Sequence, residues 1–239
     1  MESDPPTWEH RLVPSEPPRD PQVEQVEQVE RARAYFEEFA ASYDGAALES
    51  GWMPNELVTE ALDAVGPVQS AVDLACGTGG TLAVLHQAYP DAALVGVDLS
   101  ASMIELARTL VPGVRWVNDD LVRFASTADQ RFDLVTAIGG FEFTADLPQL
   151  LTDVRALVNP RGHLIFTYEP EIIGWEPQSA RVETNLGRNG LELTTLRFEP
   201  GEVAAGFEDW QLLRSRLVAA YLRDGLPTVY GWLHYHRPA

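Results

Sequence analysis

The sequence has 239 residues, 45% of them hydrophobic, enough for one substantial core and too few for two large domains. Its 36 acidic residues outnumber 17 basic ones for a net charge of −19, a field that repels a nucleic-acid backbone, and no run of lysines or arginines offsets it. The single cysteine, Cys76, excludes an internal disulfide framework, the five histidines lack metal-ligand spacing, and no apolar run reaches the roughly 18 residues that cross a bilayer.

These features predict a soluble, cytoplasmic protein with no metal, no nucleic-acid partner and no membrane partner. The first twenty residues have neither a basic n-region nor an apolar h-region, so they do not resemble a secretory signal. Residues 1–22 carry Pro5, Pro6, Pro14, Pro17, Pro18 and Pro21 among polar and charged residues, a composition that predicts a disordered tail. VEQVEQVE (23–30), leading into RARAYFEEFAASYD, predicts a helix from about 22 to 42, with Tyr35, Phe36 and Phe39 on its apolar side. A second helix is expected from Pro54 to Val65. Pro54 suits a first helical turn, Leu57, Val58, Ala61, Leu62 and Val65 form a stripe, and Gly66-Pro67 ends it. Residues 23–66 thus form a helical segment ahead of a main domain spanning 67–239.

From there strands and helices alternate. SAVDLA (70–75) predicts a buried strand and GTLAVLHQAY (80–89) a helix. AALVGVDLS (92–100) and VRWVND (114–119) are strands on either side of a helix over SMIELARTLV (102–111). FDLVTAIG (132–139) is a strand, LPQLLTDVRALV (147–158) a helix, and GHLIFTYE (162–169) a fifth strand. Beyond it, LELTTLRFE (191–199) reads as a strand, DWQLLRSRLVAAYLRD (209–224) as a helix and TVYGWLHYH (228–236) as a terminal strand. Short apolar strands interleaved with amphipathic helices mean an α/β fold, a doubly wound, mostly parallel sheet with helices on both faces. Ligands of such folds lie beyond the carboxyl ends of the strands.

AVDLACGTGG (71–80) is therefore the first place to look for a ligand. The dinucleotide fingerprint fails because Leu82 stands where the third glycine or alanine belongs, and the phosphate-cradle pattern fails for want of a lysine. Asp73, at the end of the strand, would also oppose a pyrophosphate at the following helix N-terminus. A carboxylate suits a cationic ligand over a turn in which Ala75, Gly77 and Gly79 allow close approach. Asp98 ends the second strand, where a carboxylate can accept hydrogen bonds from both hydroxyls of a ribose. The expected ligand is a nucleoside with a positive charge and no phosphates. Simple helix capping by Asp73, and by Asp98 with Ser100, is the competing explanation for each acid taken singly. Cys76 reads as a small packing residue in the turn, not a nucleophile.

VDLACGTGG followed by VGVDLSASMIELAR resembles the class I S-adenosylmethionine-dependent methyltransferases of the small-molecule (metabolite or natural-product) type, whose first motif is D-x-G-x-G-x-G. The resemblance covers roughly residues 40–170 and departs at Ala75, where the family commonly has glycine. It implies a Rossmann-like sheet with an antiparallel terminal strand, the helical segment serving as a lid, and a homodimer as a permitted assembly. For S-adenosylmethionine it implies Asp73 near the methionine end, the backbone of Ala75, Gly77 and Gly79 along the methionine and ribose, and Asp98 on the ribose hydroxyls. Leu99 or Met103 would line the adenine, Asp120 with the Leu121 amide or else Asp119 would meet its amino group, and Ile138 and Gly139 would sit beside the sulfonium.

The implied reaction is methyl transfer to oxygen, nitrogen or carbon of a small molecule. Residues at the carboxyl ends of strands are candidates for proton transfer: Glu142 after the fourth strand, and Tyr168 with Glu169 closing the fifth. His163 begins the fifth strand, at the wrong end, and His86 falls within the first crossover helix. Phe141, Phe143 and Trp175 could wall an acceptor, and Tyr35, Tyr43 and Trp52 could close over it. An antiparallel last strand would bring Tyr230 closer than His234 or His236. The same scaffold could instead serve a cofactor-binding protein, a non-methylating enzyme such as a cyclase, or a protein methyltransferase.

Overall fold

The computed structural model describes residues 21–175, 182–184, 193–223 and 226–239. The expected tail lies almost entirely outside them.

Helix α1 (Pro21–Ser50) runs eight residues beyond the predicted end. It stops at Gly51, whose φ of 76° is the left-handed conformation that glycine adopts without a Cβ penalty. Gly51 N donates to Leu48 O (3.2 Å) and Trp52 N to Ala47 O (2.9 Å), closing the helix with the paired bonds of a Schellman motif. Gln28, Ala32 and Tyr35 lie buried along one stripe of it. Helix α2 (Pro54–Ala61) starts at Pro54 as expected and tightens into a single 3-10 turn over Leu62–Ala64.

The chain then alternates through β1 (Ser70–Leu74), α3 (Gly80–Ala88), β2 (Ala93–Asp98), α4 (Ala101–Leu110) and β3 (Arg115–Asn118). Helix α5 (Leu121–Thr127), absent from the sequence-based expectation, follows because Asp120 caps it by accepting from Val122 N. Strand β4 (Phe132–Ala137), α6 (Leu147–Leu157) and β5 (Val158–Tyr168) come next. A two-stranded sheet of β6 (Val182–Thr184) and β7 (Leu193–Thr195), then α7 (Pro200–Ala205), precede β8 (Gln211–Arg223) and β9 (Leu226–His236). The predicted strand over 191–199 is thus strand only at 193–195 among its described residues.

Seven strands form one sheet in the order β3-β2-β1-β4-β5-β9-β8. Strands β1 to β5 are parallel, and β9 runs antiparallel to β5 from His163↔His236 to Tyr168↔Gly231. The order reverses between β1 and β4, which fixes the switch point where a ligand belongs. Segment 209–224, expected as a helix, is a strand: β8 pairs antiparallel with β9, with register shifts at Leu212/Arg214 and Ala219/Leu222. Its apolar residues fit a helical period, but pairing with a long neighbour along the sheet edge decides the conformation. Leu217 and Ala219 are exposed while Val218 and Ala220 are buried, the alternation of a strand with one face covered.

Two apolar cores lie on the sheet's faces. One gathers α5, α6 and α7 residues such as Phe124, Leu150 and Val203 around Phe166, and the other gathers α2 and α3 around Leu134 and Ile165. A third, smaller cluster joins Ala32 and Tyr35 of α1 to Leu99 and Leu193. Each fully buried large side chain contributes about 1.5–3 kcal/mol. Helix α1 packs through this small cluster and, at Ala47, against the second core, and polar contacts help place it.

Candidate functional site

The turn after β1 is the floor of the site. Ala75, Gly77 and Gly79 have φ of 57°, 51° and 89°, so three of five consecutive residues are left-handed. Ala75 bears a Cβ there at a cost of about 1–2 kcal/mol, which explains why glycine suits that position. Cys76 N donates to Val97 O (2.9 Å) and ties the turn to β2, while the buried Cys76 side chain joins the core. Gly79 is confined by packing as well: a Cβ built on it would lie 3.0 Å from the Cβ of Ala107.

Asp98 sits at the end of β2 with both oxygens engaged. Gly77 N donates to Oδ2 (2.8 Å) and Ser100 N to Oδ1 (2.9 Å). Burial lifts its carboxyl to about 6 against the downward pull of those amides. Asp73 lies beneath the turn, where burial lifts it to about 7 while Thr136 Oγ1, 2.6 Å away, donates to it and pulls the other way. Ser100 rather than either aspartate caps α4, its Oγ accepting from Met103 N (3.1 Å).

Above the turn is a cavity of about 300 Å³. Ala75, Gly77, Asp98, Leu99, Met103, Asp120, Leu121, Ile138 and Gly139 line it, and so do Tyr35, Tyr43, Trp52, Glu142, Phe143 and Tyr230. Its acidic lining residues are Asp98, Asp120 and Glu142, and among the described residues no lysine or arginine lines it. Burial pushes the Tyr43 hydroxyl up to about 12 and raises Asp120.

Other expected residues lie off the lining. Asp73 and Gly79 support the turn from below and behind. Asp119 turns to Arg123 (3.6 Å). Phe141 stacks on Phe166 in the core, ring centroids 4.9 Å apart, instead of walling the cavity. Tyr168 also faces the core, packed near Phe166 and across Gly231, where a built Cβ would lie 2.5 Å from its ring. Trp175 is half-buried and does not reach the lining. Glu169 is buried in an ion pair with Arg197 (3.3 Å). His163 is at the far end of β5, its Nδ1 3.0 Å from His234 Nε2, where burial lowers these imidazoles to about 4 and about 3.

The roof is α1 with the loop carrying Trp52. Arg33 donates to Leu99 O (2.9 Å), Glu37 accepts from Ala101 N (2.6 Å) and Ser102 N (3.1 Å) at the start of α4, and Asp44 accepts from Thr78 Oγ1 (2.7 Å) in the turn. Sequence reasoning missed these fasteners and the lining residues Phe36, Phe39, Ala46, Ala47, Thr144, Leu193 and Tyr221. Gly51 was a signal that α1 continues to it; Tyr221 was hidden by reading β8 as a helix.

Elsewhere on the lining, Tyr230 Oη donates to Glu142 Oε1, and the Trp52 and Tyr230 rings lie 5.1 Å apart at 37°. Glu142 is 1% exposed. A Cβ built on Gly139 would touch Trp52 Cζ2 at 3.7 Å and Glu142 Oε1 at 3.9 Å, so an atom placed beside Gly139 meets ring and carboxylate together. Among the described residues no group of His, Cys, Asp and Glu could hold a metal, and no helix is long and apolar enough to cross a membrane.

Comparison with known proteins places this geometry. Residues 72–164 match the family model described as a methyltransferase domain. A curated relative, trans-aconitate 2-methyltransferase of Shigella flexneri serotype 5b, is 34% identical over 97 residues, covering 41% of this chain and 38% of its own. The chain thus aligns with under half the length of the curated relatives it matches. Among solved structures, a DhpI–SAH complex superposes with a TM-score of 0.62 at 19% identity, covering 89% of this chain and 97% of its own. Magnesium protoporphyrin IX methyltransferase from Synechocystis PCC 6803 with bound SAM superposes with a TM-score of 0.60 at 14% identity, covering 88% and 97%. Both structural likenesses establish the shared fold.

Proposed function

From the match of residues 72–164 to a methyltransferase-domain model, we propose that the chain transfers a methyl group from S-adenosylmethionine to a small-molecule acceptor. One observation carries the reading: a cavity at the switch point lined by Asp98 after β2 and Glu142 after β4, with no basic residue among its described lining. That lining suits a cationic, phosphate-free nucleoside and repels a nucleotide phosphate. Gly77 is open toward the site, since a Cβ built there meets nothing within 4 Å. The residues present therefore fit the group.

S-adenosylmethionine, when bound, supplies a methyl group activated by the sulfonium. The chain's residues do the rest by holding and orienting. Asp98, its lone pairs directed by Gly77 and Ser100, would accept from the ribose hydroxyls. Asp120 and Leu121 would meet the adenine, with Leu99 and Met103 against its faces. Asp73 fixes β1 to β4 beneath the turn, accepting from Thr136. Helix α1 and Trp52 exclude water over the cavity, and Glu142 can take a proton from an acceptor aligned for in-line displacement.

The test is calorimetry on Asp98→Ala and Asp98→Asn. Affinity for S-adenosylmethionine should fall at least about tenfold in each, on the order of 1.4 kcal/mol, with the circular dichroism spectrum kept. Unchanged affinity in folded variants would displace the cofactor from this site.

A further inference from the structure

Rings from outside the matched residues join the acceptor end of the cavity. Trp52 and Tyr43 precede residue 72, and Tyr221 and Tyr230 lie beyond 164. Glu142, at the end of the β4 loop, faces these rings. A Cβ built on Gly139 would meet Cζ2 of the Trp52 ring and the Glu142 carboxylate, at 3.7 and 3.9 Å. Arg197, the buried cation behind the Tyr221 side of the wall, is committed to Glu169 at 3.3 Å, and Tyr221 Oη donates to the same carboxylate (3.4 Å). Arg33 is committed to Leu99 O. An anionic acceptor would meet Glu142, Asp98 and Asp120 with no cation on the described lining to receive it. A neutral hydroxyl would leave a buried carboxylate beside aromatic faces without a charge to complement. The Glu142 carboxylate supplies the charge complement for a cation beside Gly139, with the Trp52 and Tyr230 rings as its apolar surroundings.

Resting on the methyl-transfer reading above, we propose that the acceptor is a primary or secondary amine with an apolar body, bound as its ammonium between the Glu142 carboxylate and the Trp52 and Tyr230 rings. Glu142 first removes one ammonium proton, leaving the neutral amine and a carboxylic acid. The nitrogen lone pair then forms the C–N bond as the carbon–sulfur bond breaks, its electron pair remaining on sulfur. The product is the N-methylated ammonium, and the Glu142 proton passes to water. This acceptor class is opposite in charge to the acid after which the curated relatives are named.

Three probes of one shape separate the possibilities: 2-phenylethylamine, 2-phenylethanol and 3-phenylpropionate, with trans-aconitate as a second anion. Each is titrated into the full chain saturated with S-adenosylhomocysteine, and each is offered with methyl-labelled S-adenosylmethionine. The amine should bind, and be labelled, at least about tenfold better than the alcohol or either anion. Glu142→Gln should cut amine methylation by about a hundredfold or more while S-adenosylhomocysteine affinity stays within about twofold. Should that variant fail to fold, the binding order on the native chain decides alone. S-adenosylhomocysteine binding with preference for an alcohol or an anion, or with no amine binding, overturns the amine assignment. Absence of S-adenosylhomocysteine binding overturns the methyl-transfer reading itself.

Discussion

Asp98 gives hydrogen-bond acceptance to the turn and to the cavity at once, so its protonation is felt by both. Burial holds its carboxyl near 6, well above an ordinary aspartate. A cationic nucleoside favours the ionised form, so S-adenosylmethionine affinity should rise from pH 5 to pH 7 and flatten above, measured by calorimetry in one buffer series. The fold responds in two opposing senses. Asp73 and Asp98, raised to about 7 and about 6, keep protons in the native state that the unfolded chain has released, so their contribution declines as pH rises through those values. His163 and His234, lowered to about 4 and about 3, stay neutral in the native state when the unfolded chain begins to charge below about 6.5. Their contribution is full above that pH and is lost as pH falls toward 4 and 3. The double variant His163→Gln/His234→Gln should therefore lose less stability between pH 6.5 and 4 than the native chain, read from urea midpoints. At this scale the sequence was most legible where type and place coincide. Asp98 closes a strand 19 residues after Gly79, so its site was visible. Tyr230 and Glu142 are 88 residues apart, and no local pattern records that they share a proton bridge.

Single elements explain the misreadings. The segment 209–224 has leucines at helix-like intervals, yet β9 offers a ladder from His236 to Leu226 that a helix could not satisfy. Arg214 and Arg216 on this edge strand pair with Asp63 and Glu60, and charged side chains on an edge strand discourage further strand addition. Helix α1 was foreshortened at about residue 42, yet it runs through Gly45, although glycine weakens a helix by about 1 kcal/mol relative to alanine. The stop is Gly51 instead, where positive φ is needed. The roof's attachment is polar, which makes it testable. Glu37→Ala removes the acceptor for two amides at the start of α4 and should cost about 0.5–2 kcal/mol. Hydrogen exchange should show α1 and the first turn of α4 losing protection together, with β1 and β4 unchanged.

Across the whole molecule, the alternation of apolar strand and amphipathic helix made the sheet legible from residue 70 to 168, and the family match falls in the same region. What surrounds that sheet was harder to read because it is fastened by single contacts between distant residues. The charge of −19 acts at this scale too: self-repulsion opposes the compact state at low ionic strength. Melting temperature should rise as sodium chloride is increased from about 10 to 150 mM, over which the Debye length shrinks from about 30 to 8 Å. A flat response would mean that the acidic residues are already locally balanced.

The roof's three fasteners reach forward along the chain by 66, 64 and 34 residues, from Arg33 to Leu99, Glu37 to Ala101 and Asp44 to Thr78. During synthesis α1 leaves the ribosome before any of those partners exists, and the last two appear only with the end of β2 and the start of α4. Helix α1 is thus secured only once residues 78 to 101 have followed it. For that interval its apolar stripe of Ala32, Tyr35 and Phe39 has no native surface to cover it, and the nascent chain is most open to chaperones there.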